Sequence, residues 1–167
     1  MSQGETVFNN ARHSDGIAAL PSLRSRALYF REAMSKENGE YRISDDRSDV
    51  QVDKVEALLR SSYWAKERPL ETMMVSIDNS ICFSLLHKGE QVGFARVVTD
   101  FASVAYIADL IIHPDHRGKG LGKWVFGEIS NDPRWRAKFQ FLATDDAHGL
   151  YQQFGFSGSS KLMSTKI

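Results

Sequence analysis

The run Ile112-His-Pro-Asp-His-Arg-Gly-Lys-Gly-Leu-Gly122 constrains this chain more than any other segment. An apolar stretch, Tyr106 to Ile112, reads as a strand and runs into Pro114. Arg117-x-x-Gly120-x-Gly122 comes next. An amphipathic helix follows at once, with Leu121, Trp124, Val125, Glu128 and Ile129 at helical spacing. Glycines carry no Cβ, so the backbone can approach a ligand closely. The first turn of the helix offers unpaired N–H groups and the positive end of a dipole. That combination is an anion site, to which Arg117 and Lys119 add charge, and its natural guest is a phosphate or pyrophosphate. Two other phosphate loops are excluded by spacing. A Walker loop needs Ser or Thr after Gly-Lys, and Lys119 is followed by Gly120. A dinucleotide fingerprint needs a third glycine three residues after Gly120, and that position is Lys123.

What remains is V-x-P-x-x-R-G-x-G-x-G, with Ile112 in the Val position. It resembles the acetyl-coenzyme A signature of the GNAT N-acetyltransferase superfamily. Downstream, Ala147-His-Gly-Leu-Tyr151-Gln-Gln-Phe154-Gly155-Phe156 resembles that superfamily's A-x-x-L-Y-x-x-x-G-F segment, in the right order along the chain. The paired motifs are far more specific than either alone.

Composition sets outer limits. A chain of 167 residues suits one domain with a sizeable core. Formal net charge is zero, which argues against a nucleic-acid binder. No apolar stretch is long enough to span a membrane, and no N-terminal apolar run reads as a secretory signal. Cys82 is the only cysteine, so no internal disulfide forms. These features fit a cytoplasmic protein. Cys82 lies in an apolar run that reads as a strand, where a buried structural thiol is the expected role. The histidines do not form a metal set: His113 and His116 share a loop and lack cysteine partners.

Along the chain, residues 1–39 are less patterned and read as a partly helical extension. Leu23, Ala27, Phe30 and Met34 suggest a helix from Ser22 to Lys36, ended by Asn38-Gly39. The main domain, 40–167, opens with a strand at Tyr41–Ile43. A capping box at Ser48-x-x-Gln51 precedes a helix carrying Val52, Val55, Leu58 and Leu59. A second helix is expected over Leu70–Asn79. Strands at Ile81–His87 and Gln91–Val98 form a hairpin around Lys88-Gly89-Glu90. A further strand, Val104–Ile112, is apolar enough to be covered on both faces. After the glycine loop and its helix come a strand at Phe139–Thr144 and a helix at Asp146–Phe154. Last strands are expected at Phe156 and Lys161–Lys166. This is an α/β domain with a mixed sheet. The order matches the superfamily over 40–167, and the first 39 residues lie outside the resemblance.

The resemblance implies a mostly antiparallel sheet, splayed at the cofactor strand and flanked by helices. It further implies acetyl transfer from acetyl-coenzyme A, as co-substrate and without a metal, to a primary amine. Arg117, Gly118, Lys119, Gly120, Leu121 and Gly122 would hold the pyrophosphate. The backbone of Leu110, Ile111 and Ile112 would face the thioester, with the Ile112 amide polarising the carbonyl. Thr144 stands where many relatives contact the cofactor arm through Asn. Tyr151 is the candidate general acid for the departing sulfur; its alternative is packing under Phe154 and Phe156. Asp109 is the one carboxylate in an apolar run, and burying it costs free energy unless a partner offsets it. An arginine, a water chain or a cationic substrate would serve, so Asp109 is either an acceptor-side catalytic residue or an ion-pair partner, with Arg96 as the nearest choice. Ala108 stands where some polyamine-acetylating relatives carry Glu. His148 is a proton shuttle or a surface histidine. Tyr63 and Trp64 line the acceptor or fasten their loop to the core. A small-molecule amine is the expected acceptor, with no nucleic-acid or membrane partner. A protein acceptor and a non-catalytic acyl-coenzyme A sensor are the alternatives. The oligomeric state stays open between monomer and homodimer.

Overall fold

Alternating apolar residues in three long strands decide the layering of this protein. The structure is a computed structural model that describes residues 33–165. Its described elements are Ser35–Asn38 (β1), Tyr41–Ser44 (β2), Val52–Arg60 (α1), Leu70–Asp78 (α2), Ile81–His87 (β3), Glu90–Thr99 (β4), Val104–Ile112 (β5), Leu121–Ser130 (α3), Phe139–Phe141 (β6) and His148–Gln152 (α4). The six strands form one sheet in sequence order, antiparallel from β1 to β5, with β6 parallel to β5. Among the described residues, no helix is long and apolar enough to cross a membrane.

Phe83 and Leu85 of β3, Ala95 and Val97 of β4, and Ala105 and Ile107 of β5 pack on one face. There they meet Leu121, Val125, Phe126 and Ile129 of α3. Cys82, Phe94 and Ile111 face the other way, against Val55, Leu58 and Leu59 of α1 and Met73 and Ile77 of α2. Residues two apart in a strand share a face, so Ile111 should lie with Ile107. A bulge in β5 reverses it. Phe94 pairs with Ile111 but Arg96 pairs with Ala108, which leaves one extra residue on β5. Asp109 sits in that bulge with φ +55°, the left-handed region. Inserting one residue flips the side chains beyond it. Leu110 and Ile112 thereby pack toward α3, and Ile111 packs toward α1 and α2.

β6 follows β5 only from Val104 to Tyr106. Beyond Tyr106 the two strands part, and the rest of β5 keeps an open edge. The expected splay of the sheet is present, and it lies next to the glycine loop.

Four local expectations need correction. Residues 35–38 are strand β1, not the end of a helix, because Asn38-Gly39 turns the chain back into a hairpin with β2. The earlier part of that expected helix lies outside the described residues. Ser48 does not cap α1: its hydroxyl and N–H go to Asp46, which opens a short 3₁₀ turn. At the entry to α1, Gln51 and Gln91 exchange side-chain-to-backbone hydrogen bonds. β6 ends at Phe141, because pairing with β5 stops there. No strand forms over 156–165: Phe156 packs on Phe126, but the serine-rich residues 157–165 are all exposed, and Met163 is 97% exposed.

Candidate functional site

A cavity of about 510 Å³ opens where β5 and β6 diverge. Four segments line it. Leu110, Ile111 and Ile112 form one wall. His116, Arg117, Gly118 and Gly120 form a second, continued by Leu121, Gly122 and Lys123 at the start of α3. Asp146 and Ala147, just before α4, and Leu150 and Tyr151 on it form a third. The loop after α1, Ser61 to Trp64, covers the remaining side.

The strand wall offers backbone groups. His113 N–H donates to Val92 O at 2.8 Å, toward β4. Backbone groups alternate sides along a strand, so the N–H of Ile112 faces the open edge. The Ile112 carbonyl on that edge is already taken, since Arg117 Nε donates to it at 2.8 Å. This bond fixes Arg117 across the mouth of the splay.

The loop wall offers more N–H groups. Gly120 caps α3 with φ +74°, and Gly118 has φ +75°. Glycine adopts this conformation without steric cost, which turns the loop amides inward. Nothing lies within 4 Å of a Cβ built at Gly118 or Gly120. The first-turn N–H groups of α3 have no intrahelical partners and sit at the cavity wall. Backbone donors, Arg117 and an open strand edge fit a ligand that has a phosphate-bearing end and an extended, amide-bearing arm.

Tyr151 stands on α4 with its ring edge-on to Phe126, centroids 4.8 Å apart. Its hydroxyl has no hydrogen-bond partner among the described residues. Burial, and then Asp146 and Tyr63, raise its pKa above the ordinary phenol value, so the proton is retained. Packing and a cavity-facing position coexist at this residue.

Asp109 lies behind the strand wall. Arg68 grips it through both terminal nitrogens, at 2.7 and 3.1 Å, and Arg96 Nε adds a bond of 2.7 Å. Burial pushes the carboxyl up, but the hydrogen bonds and charges of Arg68 and Arg96 outweigh it. They hold the group below the usual carboxylate range. The sequence pointed to Arg96; Arg68, on the loop after α1, gave no local signal. Arg96 also donates to Ser80 Oγ at 3.3 Å.

Among the other expected residues, Arg96, Lys119, Thr144 and His148 lie outside the cavity lining. Lys119 turns its ammonium to Tyr41 Oη, at 3.2 Å. Thr144 Oγ1 accepts from Ala147 N–H and so helps start α4. His148 is exposed. Tyr63 and Trp64 are 52% and 43% exposed at the cavity and pack edge-on against each other. Burial pushes the Cys82 thiol up to about 11, which leaves it a poor nucleophile. Sequence reasoning missed His116 as part of this wall. The available signal was its place directly before Arg117.

Known proteins share this architecture. The model of the GNAT acetyltransferase domain matches residues 78–158. A Gibberella zeae protein named as an acetyltransferase is 32% identical over 142 residues, spanning 70% of this chain and 79% of that one. A crystal structure of a Xanthomonas campestris protein, described as belonging to the GNAT family, superposes with a TM-score of 0.71. It is 35% identical and covers 76% of this chain and 93% of its own. A Clostridium acetobutylicum protein solved with acetyl-coenzyme A shares the fold, with a TM-score of 0.52. It is 16% identical and covers 80% of this chain and 96% of its own.

Proposed function

The chain belongs to the GNAT acetyltransferase family, and from that premise we propose that it is an N-acetyltransferase acting on a primary amine of a small molecule. The observation that carries this reading is the convergence of the open β5 edge, the glycine loop and Tyr151 on one cavity. Acetyl-coenzyme A supplies the activated acetyl thioester.

The loop amides from Gly118 to Gly122, with Arg117, hold the pyrophosphate, and the β5 edge pairs with the extended arm. The Ile112 N–H donates to the thioester oxygen as the amine nitrogen attacks the carbonyl carbon. A placed donor of this kind is worth roughly 3–4 kcal/mol in oxyanion sites. When the carbon–sulfur bond breaks, the Tyr151 hydroxyl gives its proton to the sulfur. The proton released by the acylated nitrogen restores the phenol, so protons balance. Phenol-to-thiolate transfer runs uphill in water, but burial raises the affinity of a thiolate for a proton as well. We assign Asp109 the task of fixing Arg68, and through it the acceptor-side loop, because two guanidinium groups leave its carboxylate a weak base. Tyr63 and Trp64 offer ring faces to a cationic amine before it loses its proton.

Thiol release from acetyl-coenzyme A, measured against panels of small amines and of peptides, tests the reading. Turnover with small amines supports it. Turnover confined to peptides overturns the acceptor class, and tight cofactor binding without thiol release for any amine overturns catalysis.

A further inference from the structure

Beside the glycine loop, four side chains from three parts of the chain meet in a cluster that the acetyl-transfer chemistry leaves unused. His116 ends the 3₁₀ turn Pro114–His116 and lines the cavity. Its Nδ1 lies 2.9 Å from Tyr41 Oη, on β2. The same oxygen accepts from Lys119 Nζ. His87, on β3, stacks on the Tyr41 ring at 4.8 Å and leans against His116 at 5.0 Å.

The donors around the imidazole favour one arrangement of its protons. An ammonium only donates, so Tyr41 Oη accepts from Lys119. The phenol has one hydrogen, and Nδ1 of His116 is its remaining partner. When the phenol gives that hydrogen to Nδ1, the neutral ring carries its own proton on Nε2. In the charged ring both nitrogens carry protons. Nε2 is thus an N–H donor in either state, and it points away from Tyr41. The groups facing the ring are Tyr41, Lys119, His87 (itself paired with Glu40), His113 and Asp115. Burial, then Lys119, His87 and His113, lower the pKa of His116, and only Asp115 opposes them. An anion arriving in the cavity would reverse that balance and favour the charged ring.

We infer that His116 is a phosphate-binding residue of this site, donating from Nε2 to a phosphate of coenzyme A, and that Tyr41 is the positioning residue that fixes its tautomer. The inference rests on the proposed use of acetyl-coenzyme A. Two phosphate groups of that molecule could be the partner, the pyrophosphate or the 3′-phosphate, and the chemistry of recognition is the same for both.

The test is calorimetric binding by the full chain of coenzyme A, dephospho-coenzyme A and phosphate-free pantetheine. The proteins compared are the parent, His116→Ala, His116→Gln and Tyr41→Phe, each first shown to be folded by circular dichroism. His116→Ala should weaken coenzyme A binding by roughly 10–100-fold, the usual worth of a hydrogen bond to a charged group. His116→Gln keeps a donor and should recover much of the loss. Tyr41→Phe should lower affinity by a smaller factor. Pantetheine binding should not change in any variant. An equal loss with dephospho-coenzyme A assigns the pyrophosphate, and a loss confined to coenzyme A assigns the 3′-phosphate. Unchanged coenzyme A affinity in His116→Ala, or an equal fall in pantetheine affinity, overturns the inference. If the parent protein binds no coenzyme A, the proposed function fails first, and this inference with it.

Discussion

Tyr151 and the glycines of the loop carry the sharpest consequences of single atoms. A Tyr151→Phe change keeps the ring against Phe126 and removes only the hydroxyl. Steady-state kinetics should show kcat reduced by roughly 10²–10⁴-fold, the range for a positioned acid. KM for acetyl-coenzyme A should move little, because ground-state binding is untouched. Normal kcat, with chemistry shown to limit the rate, would assign the proton to water. The loop glycines differ from one another. Gly120→Val combines two effects, since φ +74° is costly for a branched residue and the new side chain enters the cavity. Gly122 is helical, and a Cβ there would meet only Ile112 Cγ1 at an ordinary 3.9 Å. Gly122→Ala should therefore keep or slightly raise the melting temperature, in line with helix propensity, while acetyl-coenzyme A affinity falls because the backbone can no longer approach the phosphates. Unchanged affinity in both variants would remove the glycine loop from cofactor binding.

At the scale of elements, Asp109 joins the loop after α1 to the sheet. Its carboxylate reaches Arg68, 41 residues away in sequence, and Arg96 on the neighbouring strand. Replacing it by Asn strands two guanidinium groups in a mostly buried setting, which costs about 3 kcal/mol, the lower end for a broken buried pair. The same pair gives a pH signature. The folded carboxyl is held below its ordinary value of 3.8, so its contribution is complete above the unfolded range and is lost as pH falls through the folded value. Thermal melts from pH 7 downward should show the parent and Asp109→Asn separated by a constant gap until the carboxylate range, then converging in acid. A gap that stays constant to the lowest pH would show that charge is not what Asp109 contributes. The sequence marked Asp109 as an anomaly in an apolar run. Its positive φ and its place in a bulge depend on register against β4, which a one-dimensional pattern does not contain.

For the whole molecule, the unit that includes every described residue begins at Arg31. A chain starting there should retain coenzyme A affinity by calorimetry. A chain starting at Glu40 loses β1, its pairing with β2 and the Lys36–Glu128 ion pair. It should melt lower, by roughly 2–4 °C for each kcal/mol lost, yet still bind, since among the described residues none that lines the cavity lies before Ser61. Loss of binding by the well-folded longer chain would place residues 1–30 in the site. By itself the sequence determined the order of the main strands and helices, the glycine loop, its likeness to one family and the candidacy of Tyr151. Periodicity and contiguous motifs record these directly, because neighbours along the chain make the contacts. Only the tertiary structure decided that Arg68 closes on Asp109, that Tyr41 meets His116 across a separation of 75 residues, and that β6 leaves β5 after Tyr106 to open a cavity. Those contacts join segments distant in sequence, and they are set by the bulge, the twist and the packing of two faces that no local window encodes.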